Sequence, residues 1–163
     1  MEIVRWPWRE LPGSLDALVL PEDTHLLLQA VTEELDPDVN PLDVWIASER
    51  AAQAEKHPLG SVAITDGRSR GVKYIATVIV YDFEAETICR KDIVLAGLQD
   101  ALSELVRRGC DAVGIFPLGM MRGGISPGEY LEVLEMATRP GQEFPRTLYL
   151  LGQVSEAGED AGR

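Results

Sequence analysis

The densest set of chemically useful residues lies between Phe116 and Glu129. It reads Pro117-Leu118-Gly119-Met120-Met121-Arg122-Gly123-Gly124, then Ile125-Ser126-Pro127. Glycines let a backbone come close to a ligand, and the first N–H groups of a helix carry partial positive charge. Ser126 is a capping residue, Pro127 suits the first helical position, and Glu129 completes a capping box. Arg122 adds a formal charge inside the loop. A phosphate or carboxylate would be well received by Gly119, Met120, Met121, Arg122, Gly123 and Gly124. The expected geometry has the loop N–H groups pointing into a shared cavity and Arg122 at its rim. The segment holds neither GxGxxG nor GxxxxGK[ST], so taken alone it reads first as a tight turn before a helix.

Other candidates each have two readings. Asp23 is a helix N-cap, or an acceptor for ligand hydroxyl groups. His25, beside Glu22 and Asp23, is a general base or a surface residue at a helix start. Trp6, Trp8 and Trp45 stack a purine or anchor a rim. Met120 and Met121 shape an apolar pocket or fill gaps. Asp82, Glu84 and Glu86 form a solvated loop or hold a weak cation. Ser126 is a cap rather than a nucleophile, because no histidine lies near it in sequence. Cys89 and Cys110 form no CxxC, and no pair of His, Cys or acidic residues has zinc-ligand spacing. No catalytic residue, metal or cofactor is therefore assigned.

These residues need elements to position them. Strands are predicted at Glu2–Trp6, Asp16–Leu20 (closed by Pro21), Ser61–Thr65, Lys73–Tyr81, Asp111–Phe116 and Pro145–Leu151. A helix is predicted after Asp23, where Leu27, Ala30, Val31 and Leu35 recur at helical spacing, and a second over Leu42–Lys56. Further helices are expected over Lys91–Arg108, ended by Gly109, and after Ser126. Interleaving of this kind predicts an α/β fold, a three-layer α/β/α sandwich with a mixed, mostly parallel central sheet. The strands near Ser61 and Tyr74 are the candidates for an antiparallel pair. Residues 1–151 are expected to form one domain and 152–163 a flexible acidic tail. The 117–126 loop then lies past the carboxyl end of a strand, where open α/β sheets bind ligands.

Composition bounds the partners. The chain has 163 residues, 45% of them hydrophobic, and a formal net charge of −12. A surface so acidic repels nucleic acid, and the basic residues are scattered, the tightest group being Arg68, Arg70 and Lys73. No stretch approaches the roughly 20 apolar residues of a membrane span. The first ten residues hold two Arg, two Glu and two Trp and predict no secretory leader. A cytoplasmic location is expected, and the two unpaired-looking cysteines suit a reducing compartment.

Four segments in this order resemble macro domains, the modules that bind ADP-ribose and its relatives. Asp16-Ala17-Leu18-Val19 resembles the family's Asp-Ala-Ile-Val strand, and Gly60-Ser-Val-Ala-Ile-Thr65 its Gly-x-Ala-x-x-Thr strand. Lys73 to Val78 resembles the next strand, and Phe116-Pro117-Leu118-Gly119 through Gly124 the loop that grips the distal phosphate and ribose. The resemblance spans residues 2–151 as order more than as identity. It departs from the family where Asn-x-x-Asn is replaced by Leu20-Pro21-Glu22-Asp23 and the first Gly-rich loop by Thr24 to Leu28. The adenine-recognising Gly-Asp pair has no match near Trp6-Pro7, Met120-Met121 replaces the loop's Thr-Gly, and Ala76 replaces a histidine. Leucine can neither donate nor accept a hydrogen bond, and an ionised Asp23 repels a diphosphate.

The resemblance implies a divergent macro-like module that binds a small anionic or nucleotide-like ligand, ADP-ribose first, without assigned catalysis. The alternatives are an interaction or structural domain with a degenerate pocket, filled by side chains from Leu20 to Leu28, and, third, an ADP-ribosyl hydrolase.

Overall fold

The computed structural model describes residues 1–6, 11–26, 28, 56–121 and 123–152. Six strands form one sheet: β1 (Glu2–Trp6), β2 (Ala17–Asp23), β3 (Val62–Asp66), β4 (Tyr74–Tyr81), β5 (Ala112–Ile115) and β6 (Thr147–Leu151). Their spatial order is β1-β6-β5-β2-β4-β3. All neighbours run parallel except β3, which is antiparallel to β4. The sheet is thus mixed and mostly parallel, as expected, and the antiparallel pair is the one the short turn at Asp66–Gly71 predicts. The helices α1 (Lys91–Arg107) and α2 (Pro127–Ala137) pack on each other, and α1 also packs on β4. The two helices predicted between Asp23 and Lys56, the rest of the layered arrangement, Trp8, Trp45 and the 153–163 tail lie outside the described residues.

Alternation along β2 divides the interior. Ala17 and Val19 face a large cluster with Val78, Val80, Leu98, Leu102, Val133 and Leu148. Leu18 and Leu20 face the other side, against Leu15, Val72, Ile75 and Leu151. Val94, Leu98, Ala101, Leu102 and Leu105 make the buried stripe of α1, and each fully buried aliphatic side chain there contributes about 1.5–3 kcal/mol.

One expectation changes. Pro21 does not close β2, which runs on to Asp23. The pairing of β5 with β2 ends at Val19, so at Pro21 that flank of β2 has no β5 partner and proline's missing N–H removes no bond to it.

Asp16, just before β2, ties three strands together at their N-terminal ends. Its carboxylate accepts from Lys73 Nζ at 2.7 Å, Asp111 N at 2.9 Å and Ala112 N at 3.0 Å. Burial opposes ionisation, but these three donors outweigh it and hold the carboxyl below its ordinary range.

Candidate functional site at the carboxyl edge of the sheet

The parallel strands all deliver their carboxyl ends to one edge, and the sequence candidates meet there through Tyr81, the last residue of β4. Asp23 is paired with Tyr81 in the ladder, and Thr24 N donates to Tyr81 O at 2.9 Å. The Tyr81 hydroxyl accepts from Met121 N at 3.1 Å. One fully buried tyrosine therefore joins the end of β2 to the glycine loop after β5. Burial pushes its phenol up to about 12, against the smaller opposing pull of the Met121 N–H. It stays protonated at neutral pH and acts as a fixed hydrogen-bonding post. Its ring is stacked on Phe83, with centroids 5.5 Å apart and planes within 9°. Phe83 is 45% exposed and Met121 44%.

The loop is built as its sequence predicts at the helix end. Ser126 Oγ accepts from Glu129 N at 3.2 Å, and the Glu129 carboxylate accepts from Ser126 N at 2.8 Å. Gly119 and Gly123 take φ of +78° and +88°, conformations that favour glycine. At Gly124 a Cβ would stand 2.0 Å from the Gly119 carbonyl oxygen, so only glycine fits that turn.

The expected cavity of free N–H groups is corrected in part. Gly124 N donates to Met121 O at 2.7 Å and Ile125 N to Gly119 O at 2.8 Å. With Met121 N on Tyr81 and Ser126 N on Glu129, four loop amides are spent internally. The physical reason is local closure: Gly124 lies so close to Gly119 that the turn satisfies itself. Among the described residues, the amides of Met120 and Gly123 engage no hydrogen bond. Met120 is half-buried against the core, Met121 points outward, and Arg122 lies outside the described residues.

The end of β2 is charged and buried. Glu22 and Asp23 are fully buried. Glu22 Oε1 accepts from Asp23 N at 3.0 Å and Leu28 N at 2.6 Å. Asp23 Oδ1 accepts from His25 N at 2.7 Å and Oδ2 from Leu28 N at 3.1 Å. Asp23 thus acts on backbone N–H groups as a cap does, but from the last position of a strand. These bonds fold the chain through Leu26, whose φ of +59° is rare for a non-glycine residue. Leu20, which stands where the resemblance expects asparagine, is buried among aliphatic side chains.

Sequence reasoning named His25 and Glu84 separately and missed their pairing. The His25 side chain is only 11% exposed, and its Nε2 lies 3.2 Å from Glu84 Oε1. Carboxylate oxygen only accepts, so Nε2 carries the proton in this contact. Among the described residues, His25 Nδ1 and the buried Thr24 Oγ1 have no hydrogen-bond partner. Lys56 bonds Glu84 and reaches Asp82 Oδ1 at 3.3 Å. Lys56 first, then His25, holds the Glu84 carboxyl below its ordinary range. The acidic stretch after β4 therefore engages the chain's own cations. Among the described residues, no group of three or more His, Cys, Asp and Glu side chains has the arrangement of a metal site. Both cysteines are buried free thiols, and burial pushes Cys89 up to about 11, so it is no thiolate nucleophile at neutral pH.

A mixed sheet whose buried central strand ends beside a glycine loop and a capped helix defines an α/β module with its polar groups gathered at one edge. Solved structures share that fold. The Thermus aquaticus DarG macrodomain aligns with a TM-score of 0.59 and 17% identity over 93% of this chain and 97% of that one. An Oceanobacillus iheyensis macrodomain mutant with ADPR aligns with a TM-score of 0.61 and 14% identity over 88% and 80%. A Trypanosoma brucei macrodomain in complex with ADP aligns with a TM-score of 0.60 and 17% identity over 93% and 64%. No protein-family model and no curated protein matches the sequence. The fold is that of the macrodomains.

Proposed function

We propose that this chain binds a small anionic, nucleotide-like ligand at the carboxyl edge of its sheet, with ADP-ribose the first candidate. The observation that carries the reading is the joining of two ends through Tyr81. One is the loop with Gly119, Met120, Met121, Gly123 and Gly124, to which Arg122 belongs in sequence; the other is Asp23. Neighbouring macrodomains solved with ADP and with ADPR support the choice of ligand. Helix N-termini and glycine loops suit phosphate, and a carboxylate suits ribose hydroxyls. The same proposal leaves catalysis unassigned and excludes nucleic acid as partner, since the chain bears a net charge of −12. No helix among the described residues is long and apolar enough to cross a membrane. Two buried free thiols suit a reducing setting such as the cytoplasm.

Calorimetric titration with ADP-ribose, AMP and inorganic phosphate tests this. Heat and a raised melting temperature with ADP-ribose are expected, falling as salt rises. Silence in both measurements at millimolar ADP-ribose ends the proposal. A second reading has its own observation: four loop amides are consumed internally and Leu20, Glu22 and Asp23 are buried. It makes the chain an interaction domain with a closed pocket, and it gains if every ligand is silent.

A further inference from the structure

We propose that Phe83 is the platform on which the base of a bound nucleotide stacks. This rests on the reading of the carboxyl edge as an anion site, and it places the part of the ligand that the glycine loop does not hold. One face of the Phe83 ring is taken, since it lies on Tyr81 with planes within 9° and centroids 5.5 Å apart. Tyr81 is fully buried, whereas Phe83 remains 45% exposed. The open side of this two-ring stack is therefore the outer side of Phe83. A second planar ring laid on an aromatic face, offset from its centre, is the arrangement that ring quadrupoles favour. The turn that carries Phe83 is held from both sides. Asp82 N donates to Ile88 O at 2.9 Å, Ala85 N to Asp82 O at 3.1 Å and Glu84 N to Asp82 Oδ1 at 3.1 Å. Lys56 bridges Asp82 and Glu84, and His25 reaches Glu84 from the turn after β2. A platform fixed in this way loses little conformational freedom when a ring settles on it.

The same turn abuts the glycine loop. A Cβ on Gly123 would stand 3.3 Å from Ile88 Cδ1, and one on Gly119 would stand 2.8 Å from Cys89 Sγ. The Tyr81 hydroxyl, whose ring Phe83 covers, accepts from Met121 N at 3.1 Å. Three contacts thus set the Phe83 turn beside the loop. Among the described residues, the amides of Met120 and Gly123 engage no hydrogen bond, and Gly123 is the residue that lies against Ile88. Free loop amides of this kind receive phosphate oxygens. A phosphate there and a flat ring on Phe83 call for a ligand that is anionic at one end and aromatic at the other, which is a nucleoside phosphate. The charges beside the ring favour a neutral base over a cationic side chain. Asp82 and Glu84, on either side of Phe83 in sequence, already engage Lys56, and Glu84 engages His25 as well. Trp6, the other aromatic candidate for a purine, stands at the end of β1 with its ring edge-on to Tyr149 at 5.9 Å.

The test uses the full chain with AMP and ribose 5-phosphate, which share a phosphorylated ribose and differ in the base. By calorimetry, AMP should bind at least about fivefold more tightly. Phe83→Leu keeps an apolar cover over Tyr81 and removes the flat face. In that variant AMP affinity should fall by about fivefold to a hundredfold while ribose 5-phosphate affinity holds. Phe83→Trp should keep the preference for AMP. In the parent, nuclear Overhauser effects should run from the base protons of AMP to the Phe83 ring, one of three phenylalanines in the chain, and vanish in Phe83→Leu. Should Phe83→Leu fold poorly, the parent's Overhauser contacts and Phe83→Trp decide. Equal affinities for AMP and ribose 5-phosphate overturn the proposal. So does an equal loss of both in Phe83→Leu, which would mark the ring as a cover for Tyr81 and nothing more. Base contacts to Trp6 in place of Phe83 overturn it too, as does displacement of AMP from Phe83 by arginine amide at equal concentration, which would assign the ring to a cation. Silence of AMP, ribose 5-phosphate and ADP-ribose alike removes the carboxyl-edge site and this proposal together. Binding of ADP-ribose with no preference for AMP over ribose 5-phosphate removes only this one.

Discussion

Replacing Tyr81 by phenylalanine isolates the contact that joins the two halves of the candidate site. The ring, and with it the stack on Phe83, is kept, and only the hydroxyl goes. Met121 N then loses its acceptor at 3.1 Å. A neutral hydrogen bond contributes about 0.5–1.5 kcal/mol net, and a donor left dry costs about 1–3 kcal/mol. Met121 is 44% exposed, so water reaches part of the vacated site and the loss should be about 1–2 kcal/mol. For a domain of this size about 1 kcal/mol moves the melting temperature by roughly 2–4 °C, which puts the expected drop at about 2–8 °C. Circular dichroism melts measure it, and amide exchange at Met121 should accelerate in the variant. ADP-ribose affinity should fall with it, because the loop is no longer held against β4. A drop below about 1 °C with unchanged Met121 exchange means that the hydroxyl does not hold the loop.

Three further substitutions separate stability from binding. Ser126→Ala should cost about 1 kcal/mol in urea unfolding through the lost cap and leave ligand affinity unchanged, with Ser126→Asp restoring it. Arg122→Ala should weaken any anion bound at the loop, as read by titration calorimetry, with the melting temperature nearly unchanged; an untouched affinity removes Arg122 from the site. Asp16 has a folded pKa depressed below its unfolded value, so its stabilising effect is complete above the unfolded value and is lost as pH falls through the folded one. Unfolding midpoints taken downward from about pH 5 should fall more steeply in the parent than in Asp16→Asn, and parallel curves refute the role given to its three donors.

The parts of the fold legible in the sequence were those with a local cause. The Ser126–Glu129 box, the α1 stripe and the β-branched run of β4 each declare themselves within one element. The antiparallel pair was legible because the Asp66–Gly71 turn is too short for a crossover. What was illegible depends on partners far along the chain. Pro21 looks like a stop, and only the register of β5, about ninety residues on, shows that its flank is unpaired there. Tyr81 reads as an ordinary strand aromatic, and its hydroxyl meets a loop 40 residues later. His25 reads as a surface residue at a helix start, and Glu84, 59 residues away, meets a ring whose side chain is only 11% exposed. The glycine loop was legible as a turn before a helix, and the structure shows why that reading has force: Gly124 is required by the close approach of the turn to itself.

Asp23 is where the binding and closed-pocket readings part. Its two carboxylate oxygens take His25 N and Leu28 N, one each. Asparagine has one acceptor oxygen, and its amide nitrogen would face the second N–H. Asp23→Asn should therefore lower stability by about 1–3 kcal/mol under either reading. The readings differ on ligands. If Asp23 accepts from a sugar hydroxyl, the substitution puts a donor in place of an acceptor, and ADP-ribose should weaken by about tenfold against AMP, which lacks the second ribose. If Asp23 only folds the turn, the one general effect of the change is the removal of a buried negative charge. Both ligands should then tighten together, since each brings phosphate toward that charge. A shared gain in affinity for ADP-ribose and AMP would take Asp23 out of the ligand site and leave it as the residue that turns the chain after β2.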